Sequence, residues 1–403
     1  MLVTFENFAL DTSRRELCRD AEAVPTQPQV FDLLAYLVEN RDRVVTKDDL
    51  VASIWGGRIV SESTLTSRIN SVRRALGDSG KEQRLIRTAS RKGVRFVGDV
   101  NVVHKPKAPA PASAAAPVSA GKSPALRQEV RFCRASDGTR IAYAEVGSGP
   151  PLIKAANWLT HIEYDWASPV WSHLWRALAE DHRFIRHDQR GCGLSDWQTD
   201  DISFAAFCRD LESVIDATGL KRFPLFGISQ GCAMSIAYAV KYPERVSHLV
   251  LYGGFARGIG RARGPNVAPH VEALSTLMRY GWGLENPAFR QIFTSHFVPG
   301  GTAAQVQCFN DLQRMTAPAE NAVRVFRAIA DIDVTHLLPQ VRVPTLVLHC
   351  RGDACVPFEL GRRMAAGIPG ARFVALDGRN HVILESDPCR GRFLDELRTF
   401  IRQ

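Results

Sequence analysis

A stretch rich in Ala, Pro and Ser divides this chain of 403 residues. It contains KPKAPAPASAAAPVSAGKSP and belongs to residues 101–128, which hold four basic residues, no acidic residue and no Phe, Tyr or Trp. A segment with so few large apolar side chains cannot bury enough surface to fold, so we predict a flexible, partly extended linker. It separates an N-terminal domain, residues 1–100, from a C-terminal domain, residues 129–403.

The composition excludes several classes of protein. Hydrophobic residues make up 45% of the chain, but no window approaches the roughly 18 to 20 consecutive apolar residues of a membrane span. The first ten residues lack the basic and apolar regions of a signal peptide. Nine cysteines form no CxxC pair, which argues against a disulfide framework or a zinc site. We therefore expect a soluble, cytoplasmic protein with reduced thiols, no metal and no cofactor.

The net charge of +9 is unevenly distributed along the sequence. Residues 1–100 contribute +2, residues 101–128 contribute +4, and the remaining residues contribute +3. Within the first domain, residues 58–98 contain ten basic residues and only three acidic ones. This excess of basic residues predicts a basic surface that faces an acidic partner.

The sequence of the N-terminal domain predicts a short β-rich start followed by three helices. Apolar residues at helical spacing predict a first helix over residues 28–39, and Thr46 is a suitable N-cap for a second helix that ends at Trp55. Ser61 or Ser63 would cap a third helix, which Gly77 ends. The sequence LIRTASRKGVRFVG that follows predicts a β-hairpin with a basic turn.

The third helix has one apolar face and one polar, basic face. Arg, Ser and Thr side chains on such a face can reach base edges and phosphates in a major groove. The basic hairpin turn can reach the DNA backbone or the minor groove. The simpler interpretation is a solvated helix surface, which is how most charged runs are used.

In order and spacing, this region resembles the winged helix-turn-helix domains of OmpR/PhoB-type response regulators and CadC/ToxR-type one-component regulators. The resemblance rests on PTQPQVFDLLAYLVENRDRVVTKDDLVASIW, SESTLTSRINSVRRALGD and IRTASRKGVRFVG. It implies an α+β winged helix that binds double-stranded DNA, as a possible homodimer on paired half-sites. Ser63 and Ser90 stand where many members have arginine. The residues implied to contact DNA are Thr64, Ser67, Arg68, Arg73, Arg91 and Lys92.

From residue 129, apolar strands alternate with amphipathic helices, which predicts a doubly wound, mostly parallel sheet covered on both faces. A helical lid is expected at about residues 256–335. Strands are predicted at 139–145, 152–156, 183–187, 223–228, 246–252, 344–349 and 372–376, and helices near 171–180, 204–218, 231–241, 358–367 and 389–402.

One strand runs into a helix through GISQG, a G-x-S-x-G pattern centred on Ser229. A serine nucleophile at such a tight turn needs small neighbours, together with a base and an orienting acid. Asp353 and His381 follow Ser229 in the order Ser, Asp, His, each at a predicted strand end. Alternatively, Asp353 is a turn residue and His381 a buried core histidine.

The whole C-terminal region resembles the α/β-hydrolase fold, through HDQRGCGLSD, GISQG, VPTLVLHCRGDACVP and GRNHVILESDP. The resemblance implies that Ser229 is the nucleophile, Asp353 the orienting acid and His381 the general base. The backbone N–H groups of Gln230 and Trp158 would form the oxyanion hole. The chain departs from the family where Ala156-Asn157 replaces the usual His-Gly pair, and where Lys154 lies in an apolar strand.

Together these features predict a one-component transcriptional regulator. Its winged helix would bind DNA, and its hydrolase domain would sense a small ester, lactone or other acyl ligand, either with or without hydrolysing it. No receiver domain is seen ahead of the winged helix, so the signal is expected to enter through the hydrolase pocket. The alternative is a serine hydrolase, of esterase or lactonase type, whose winged helix is only a localising or interaction module.

Overall fold

The computed structural model describes residues 2–12, 16–20, 22–24, 26, 28–55, 62–89, 92–102, 126–261, 267–284 and 286–403. These residues fall into two compact units, one within residues 1–120 and one within residues 121–403. All nine cysteines are free thiols. Among the described residues, no helix is both long enough and apolar enough to cross a membrane. Most of the predicted linker, residues 103–125, lies outside the described residues.

The described residues of the N-terminal unit form three helices and two small antiparallel sheets. One sheet has the strand order β4-β3-β2-β1-β7, and the other is the hairpin β5-β6. The element bounds are β1 Leu2–Phe5, β2 Phe8–Asp11, β3 Glu16–Arg19, β4 Glu22–Ala23, α1 Pro28–Glu39, α2 Lys47–Trp55, α3 Glu62–Ala75, β5 Ile86–Ala89, β6 Gly93–Phe96 and β7 Asn101–Val102.

The three helices lie where the apolar periodicity places them. Thr46 caps α2 as predicted, because its Oγ1 accepts a hydrogen bond of 3.1 Å from the backbone N–H of Asp49. In the reciprocal hydrogen bond, the side-chain Oδ2 of Asp49 accepts from the backbone N–H of Thr46 at 3.0 Å. Of the two predicted caps of α3, Ser63 is wrong because it lies inside the helix, which begins at Glu62, and Ser61 lies outside the described residues. Gly77 follows α3 with φ +60°, a left-handed conformation that glycine adopts without strain.

A buried pair of charged side chains joins α3 to the hairpin. The Asp78 carboxylate accepts the backbone N–H groups of Arg84, Leu85 and Ile86 at 3.0 to 3.1 Å. Burial raises the pKa of this carboxyl, but the N–H donors outweigh burial and hold the pKa below its ordinary value. The guanidinium of Arg73 donates to the carbonyl of Ile86 at 3.0 Å. The start of β5 is thereby fixed to the end of α3.

The C-terminal unit is built on an eight-stranded sheet with the order β15-β14-β13-β12-β10-β11-β9-β8. Strands β8 and β9 are antiparallel to their neighbours, and the other pairs are parallel. The strand bounds are β8 Glu129–Arg134, β9 Arg140–Val146, β10 Pro151–Lys154, β11 Arg183–His187, β12 Phe223–Ile228, β13 Val246–Tyr252, β14 Thr345–Cys350 and β15 Arg372–Leu376.

Helices cover both faces of this sheet, and four of them form an insertion between β13 and β14 in the region of the predicted lid. The helix bounds are α4 Ile162–Ala167, α5 Ser172–Asp181, α6 Phe204–Ala217, α7 Gly231–Lys241, α8 Val267–Gly281, α9 Ala288–Phe297, α10 Ala303–Thr316, α11 Ala319–Ala330, α12 Phe358–Gly367 and α13 Arg390–Ile401. Short 3₁₀ turns, Ile259–Arg261 and Thr335–Gln340, flank the inserted helices.

Alternate residues of the central strands point to opposite faces and enter two separate cores. In β13, Leu249 and Leu251 pack with α6, α7 and α12, whereas Val250 and Tyr252 pack with α5 and α13. This two-sided burial is the reason that the parallel strands read as continuous apolar runs in the sequence.

Two elements of this unit were not predicted. Strand β8 is mostly exposed, so its sequence EVRFCR lacks a clear apolar pattern. Helix α4 has only six residues, too few to show helical periodicity. Strand β10 was predicted to run to residue 156, but it ends at Lys154. Beyond the end of the strand, the backbone N–H of Ala155 still donates a hydrogen bond to the carbonyl oxygen of Phe226.

Candidate active site and candidate nucleic-acid interface

Ser229 lies at the turn between β12 and α7, and its backbone is held in a left-handed conformation with φ +54°. This tight turn brings β12 and α7 so close together that the two glycines of the pattern have no room for a side chain. A Cβ on Gly227 would lie 2.7 Å from the carbonyl oxygen of Gly231, and one on Gly231 would lie 2.7 Å from that of Ala156. The two glycines of the G-x-S-x-G pattern are therefore required sterically.

Asp353 and His381 are brought together from the loops after β14 and β15. Nδ1 of His381 lies 2.8 Å from Oδ2 of Asp353, and both side chains are buried. The second carboxylate oxygen accepts the backbone N–H groups of Cys355 and Val356, each at 2.9 Å. Burial raises the pKa of Asp353, but the His381 and His349 rings and these N–H groups outweigh it and hold the pKa well below its usual value. The acid is ionised.

His349 is a second histidine beside this carboxylate, and the sequence interpretation did not single it out. Its Nε2 lies 3.4 Å from Oδ2 of Asp353 and 2.9 Å from the carbonyl oxygen of Val356. Because a carbonyl only accepts, Nε2 carries a proton, and His349 supplies a further donor to the acid. Its position in VLHCRGD, four residues before Asp353, was the available signal.

Gly253 and Gly254 link Ser229 to the Asp–His pair. The N–H of Ser229 donates to the carbonyl of Tyr252 at 3.0 Å, and a Cβ on Gly254 would lie 3.1 Å from the carbonyl oxygen of Ser229. A Cβ on Gly253 would lie 3.2 Å from Cε1 of His381 and 3.5 Å from Oδ2 of Asp353. The structure therefore places all three predicted triad residues around one short turn, but among the described residues no hydrogen bond joins Ser229 to Nε2 of His381.

The two predicted oxyanion donors come from the start of α7, directly after Ser229, and from the loop after β10. Gln230 is fully buried at the start of α7, where the partial positive charge of a helix N-terminus is found. Trp158 is also buried, and its ring contacts three aromatic rings of the inserted helices, Trp282, Phe293 and Phe326.

Lys154, the charged residue in an apolar strand, belongs to a buried ionic cluster. Its Nζ donates to Oδ1 of Asn157 and to the carbonyl of Ala155. Burial, with Arg186 nearby, lowers the pKa of Lys154 to about 7. Asp165 lies 3.9 Å from Arg186, and burial raises its pKa to about 7. Asn157, which stands where the resemblance to the α/β-hydrolase fold leads us to expect glycine, is thus hydrogen-bonded to Lys154.

A small cavity lies between His381 and the inserted helices. Its lining combines aromatic and aliphatic side chains with a few buried polar ones. The lining residues are Asn157, Trp158, Leu159, Thr160, Asp165, Trp171, Ile228, Phe297, Phe309, Leu312, Gln313, His381 and Val382. Its volume of about 10 Å³ has room for about one water molecule.

The insertion holds the loop that carries the histidine. The carbonyl of Phe297, at the end of α9, accepts the backbone N–H groups of His381 and Val382 at 3.0 and 3.1 Å. The Phe297 ring also packs edge-on against the His381 ring, with centroids 5.4 Å apart. A shift of α9 would therefore move His381.

The predicted DNA-contacting residues are distributed between α3 and the hairpin turn. Thr64, Ser67 and Arg68 lie in α3, and Lys92 is exposed beside the turn at Gly93. Arg91 lies outside the described residues.

Arg73 differs from its prediction as a DNA contact. Its side chain is only 6% exposed, and its guanidinium donates to Ile86 and to Oγ1 of Thr88. At this position on α3, the side chain faces the hairpin rather than the polar surface. These hydrogen bonds attach β5 to α3.

Comparisons with protein families match both units. Residues 21–96 match the family described as transcriptional regulatory protein, C terminal. Residues 164–306 match the alpha/beta hydrolase fold, and residues 327–398 match TAP-like protein. The chain therefore joins a transcriptional-regulator domain of OmpR/PhoB type to an α/β-hydrolase domain.

Individual relatives cover the hydrolase region. A 2-hydroxy-6-oxononadienedioate/2-hydroxy-6-oxononatrienedioate hydrolase of Paraburkholderia phymatum is 29% identical over 58% of this chain and 82% of its own length. Pyrrolizixenacetamide deacetylase of Xenorhabdus hominickii is 25% identical over 65% of this chain and 94% of its own length. Among solved structures, an esterase from Exiguobacterium antarcticum matches with a TM-score of 0.58 and 25% identity, over 68% of this chain and 99% of its own.

Proposed function

We propose that this protein is a one-component transcriptional regulator whose hydrolase domain senses a small acyl ligand. The observation that carries the proposal is the presence, in one chain, of a transcriptional-regulator domain and a hydrolase domain in which Ser229 and the buried Asp353–His381 pair lie around the same turn at Gly253 and Gly254. The signal would enter through the hydrolase pocket and leave through the DNA-binding unit. We also propose that the protein acts in the cytoplasm.

In the hydrolase unit, Ser229 would attack the acyl carbon of the ligand. The lone pair on Nε2 of His381 would take the serine proton, because Nδ1 carries the proton shared with Asp353. The N–H groups of Gln230 and Trp158 would stabilise the oxyanion. Hydrolysis of an acyl compound agrees with the names of the two relatives, a hydrolase and a deacetylase.

Sensing requires that the ligand bind one state of the unit more tightly than another. The link between Phe297 and His381 supplies a physical route for such a difference. A ligand or acyl group beside His381 would displace the end of α9, and the inserted helices would move with it.

In the regulator unit, α3 would enter the major groove and the hairpin turn would contact the backbone. We propose Thr64, Ser67, Arg68, Arg91 and Lys92 as DNA contacts, without Arg73. One winged helix reads a short half-site, so we propose a homodimer on double-stranded DNA.

The alternative function is that of a serine hydrolase whose regulator domain only localises it. The specific observation in its favour is the geometry of the site. Asp353 is ionised and bonded to His381, and Ser229 is held at a strained turn, as turnover requires.

Two measurements test the proposal. A fluorophosphonate should label Ser229 of the wild type and should not label Ser229→Ala. Lack of labelling would remove the catalytic part. Footprinting on DNA upstream of the gene should show protection that changes when the fluorophosphonate is bound.

The DNA-binding part has its own control. Lys92→Ala should weaken binding and reduce its dependence on salt by about one counterion, whereas Lys241→Ala, in the other unit, should not. Footprints that stay unchanged with the bound fluorophosphonate, together with hydrolase activity of the unlabelled protein, would favour the alternative function.

A further inference from the structure

The buried side chain of Lys154 bridges the loop that carries one of the two proposed oxyanion donors. This loop, residues 155–158, follows β10 and ends at Trp158. Nζ of Lys154 donates to the carbonyl oxygen of Ala155 at 3.0 Å and to Oδ1 of Asn157 at 2.5 Å. One amine therefore joins the first and third residues of the loop, directly before the residue whose N–H would bind the oxyanion.

The other contacts of this loop hold its two ends and pack it against α7. At its start, the N–H of Ala155 donates to the carbonyl oxygen of Phe226 in β12 at 2.9 Å. At its end, the ring of Trp158 packs against aromatic rings of the inserted helices. In between, the carbonyl oxygen of Ala156 lies so close to α7 that a Cβ on Gly231 would come within 2.7 Å of it. The loop is therefore packed against the helix that begins directly after the nucleophile.

The two hydrogen bonds of Lys154 do not depend on its charge. Because burial lowers the pKa of Lys154 to about 7, the charged and the neutral form are both present near neutral pH. The ammonium group has three N–H donors and the neutral amine has two. Both forms can therefore donate to Ala155 and Asn157 at the same time.

We propose that Lys154 is a positioning residue of the oxyanion hole, which holds the loop in the conformation from which the N–H of Trp158 would bind the oxyanion. The inference rests on the proposed function, because it requires Ser229 to act as a nucleophile. It joins the two departures from the α/β-hydrolase family. The lysine in an apolar strand is the hydrogen-bond donor to Asn157, which stands at the position of the expected glycine.

The test measures the second-order rate constant with which a fluorophosphonate labels Ser229. In this reaction the serine oxygen bonds to phosphorus, the serine proton passes to His381 and fluoride leaves. Negative charge builds up on the phosphonyl oxygen, so labelling uses the same oxyanion donors as hydrolysis of an acyl compound.

Two single variants remove the two sides of the contact. Lys154→Met keeps the length of the side chain and removes the donor. Asn157→Ala removes the acceptor and keeps the charged side chains around Lys154 in place. Each variant should slow labelling by about tenfold or more, because an oxyanion donor supplies roughly 10²–10³-fold and loses much of this effect when it is misplaced by about 1 Å.

The double variant shows whether the two residues act through each other. If Lys154 acts through Asn157, the double variant should be at most about twofold slower than the slower single variant, since both changes remove one link. Effects that multiply would mean independent functions and would overturn the inference. Leu397→Ala, in buried helix α13, which supplies none of the loop contacts, is the control for lost stability. It should lower the urea midpoint and keep the labelling rate within about twofold, and slowing as large as that of the loop variants would overturn the inference.

The remaining outcomes separate this inference from the proposed function. Unchanged labelling of Asn157→Ala overturns the inference alone, even if Lys154→Met is slow, because Lys154 would then act through the charges around it. The same measurement decides the question if Lys154→Met does not fold. Absence of labelling in the wild type overturns the proposed catalysis and the inference together.

Discussion

Nδ1 of His381 donates a hydrogen bond of 2.8 Å to Oδ2 of Asp353, in a place where both side chains are almost fully buried. A carboxylate can only accept, so this bond fixes the ring tautomer and leaves the lone pair on Nε2. Nε2 has no partner among the described residues. The pair is therefore set to accept a proton at that nitrogen.

Replacing Asp353 by asparagine should remove the hydrogen bond that fixes the tautomer of His381. In Asp353→Asn, we expect hydrolysis of 4-nitrophenyl esters to fall roughly 10⁴-fold in kcat, because an amide can stabilise the wrong tautomer and does not stabilise the imidazolium. Asp377→Asn, at an exposed acid after β15, is the control and should stay within about twofold. A small effect of Asp353→Asn on kcat would exclude the proposed role of the acid.

A methyl group at Gly253 should disturb the same pair. Gly253 has φ +57°, and a Cβ there would lie 3.2 Å from the His381 ring. Gly219 has φ +69° with open space around it, so Gly219→Ala carries the backbone strain without the contact. We expect both alanine variants to lose about 1 kcal/mol of stability, and only Gly253→Ala to lose kcat by tenfold or more. Equal kcat values would show that the contact does not matter.

The left-handed backbone of Ser229 should appear as a difference between two inactive variants. Glycine relieves the strain at φ +54°, whereas alanine retains it. We expect Ser229→Gly to be more stable than Ser229→Ala by about 1 kcal/mol in urea unfolding. At Ser213, within α6, the order should reverse because glycine is the poorer helix residue. Finding the same order at both positions would argue against strain at the turn.

His187, buried at the end of β11, should make the hydrolase unit sensitive to acid. Burial, with Lys154 nearby, lowers its pKa from 6.5 to about 3. Between these values the unfolded chain binds a proton that the folded chain does not, so stability falls as the pH drops through this range. Between about pH 6.5 and pH 5, the free energy of unfolding should therefore fall by up to about 1.5 kcal/mol less in His187→Phe than in the wild type. Parallel curves of unfolding free energy against pH would contradict this prediction.

Arg73 and Arg74 are adjacent in α3 but should behave differently. Arg73 is buried and bonded to β5, whereas Arg74 is exposed. Arg73→Ala should destabilise the N-terminal unit by about 1–3 kcal/mol and speed hydrogen exchange of the β5 amides. Arg74→Ala should leave that exchange unchanged. Slow exchange in Arg73→Ala would show that Asp78 alone holds the hairpin.

The sequence predicted those features that depend on local pattern. The core helices, the parallel strands and the strand ends that bear Ser229, Asp353 and His381 all follow from periodicity and turn residues. The burial of Arg73 could not be predicted in this way, because it depends on a hairpin 13 residues further along the chain.

The edge position of β8 bears on how such a chain could arise. Among the described residues, strand β8 pairs only with β9, at the antiparallel end of the sheet, and it is the first element of the hydrolase unit. A gene fusion upstream of it adds residues without separating any parallel strand or core helix from its neighbours. The same point of attachment should accept other DNA-binding domains, so exchanging them offers a route to new ligand-controlled promoters.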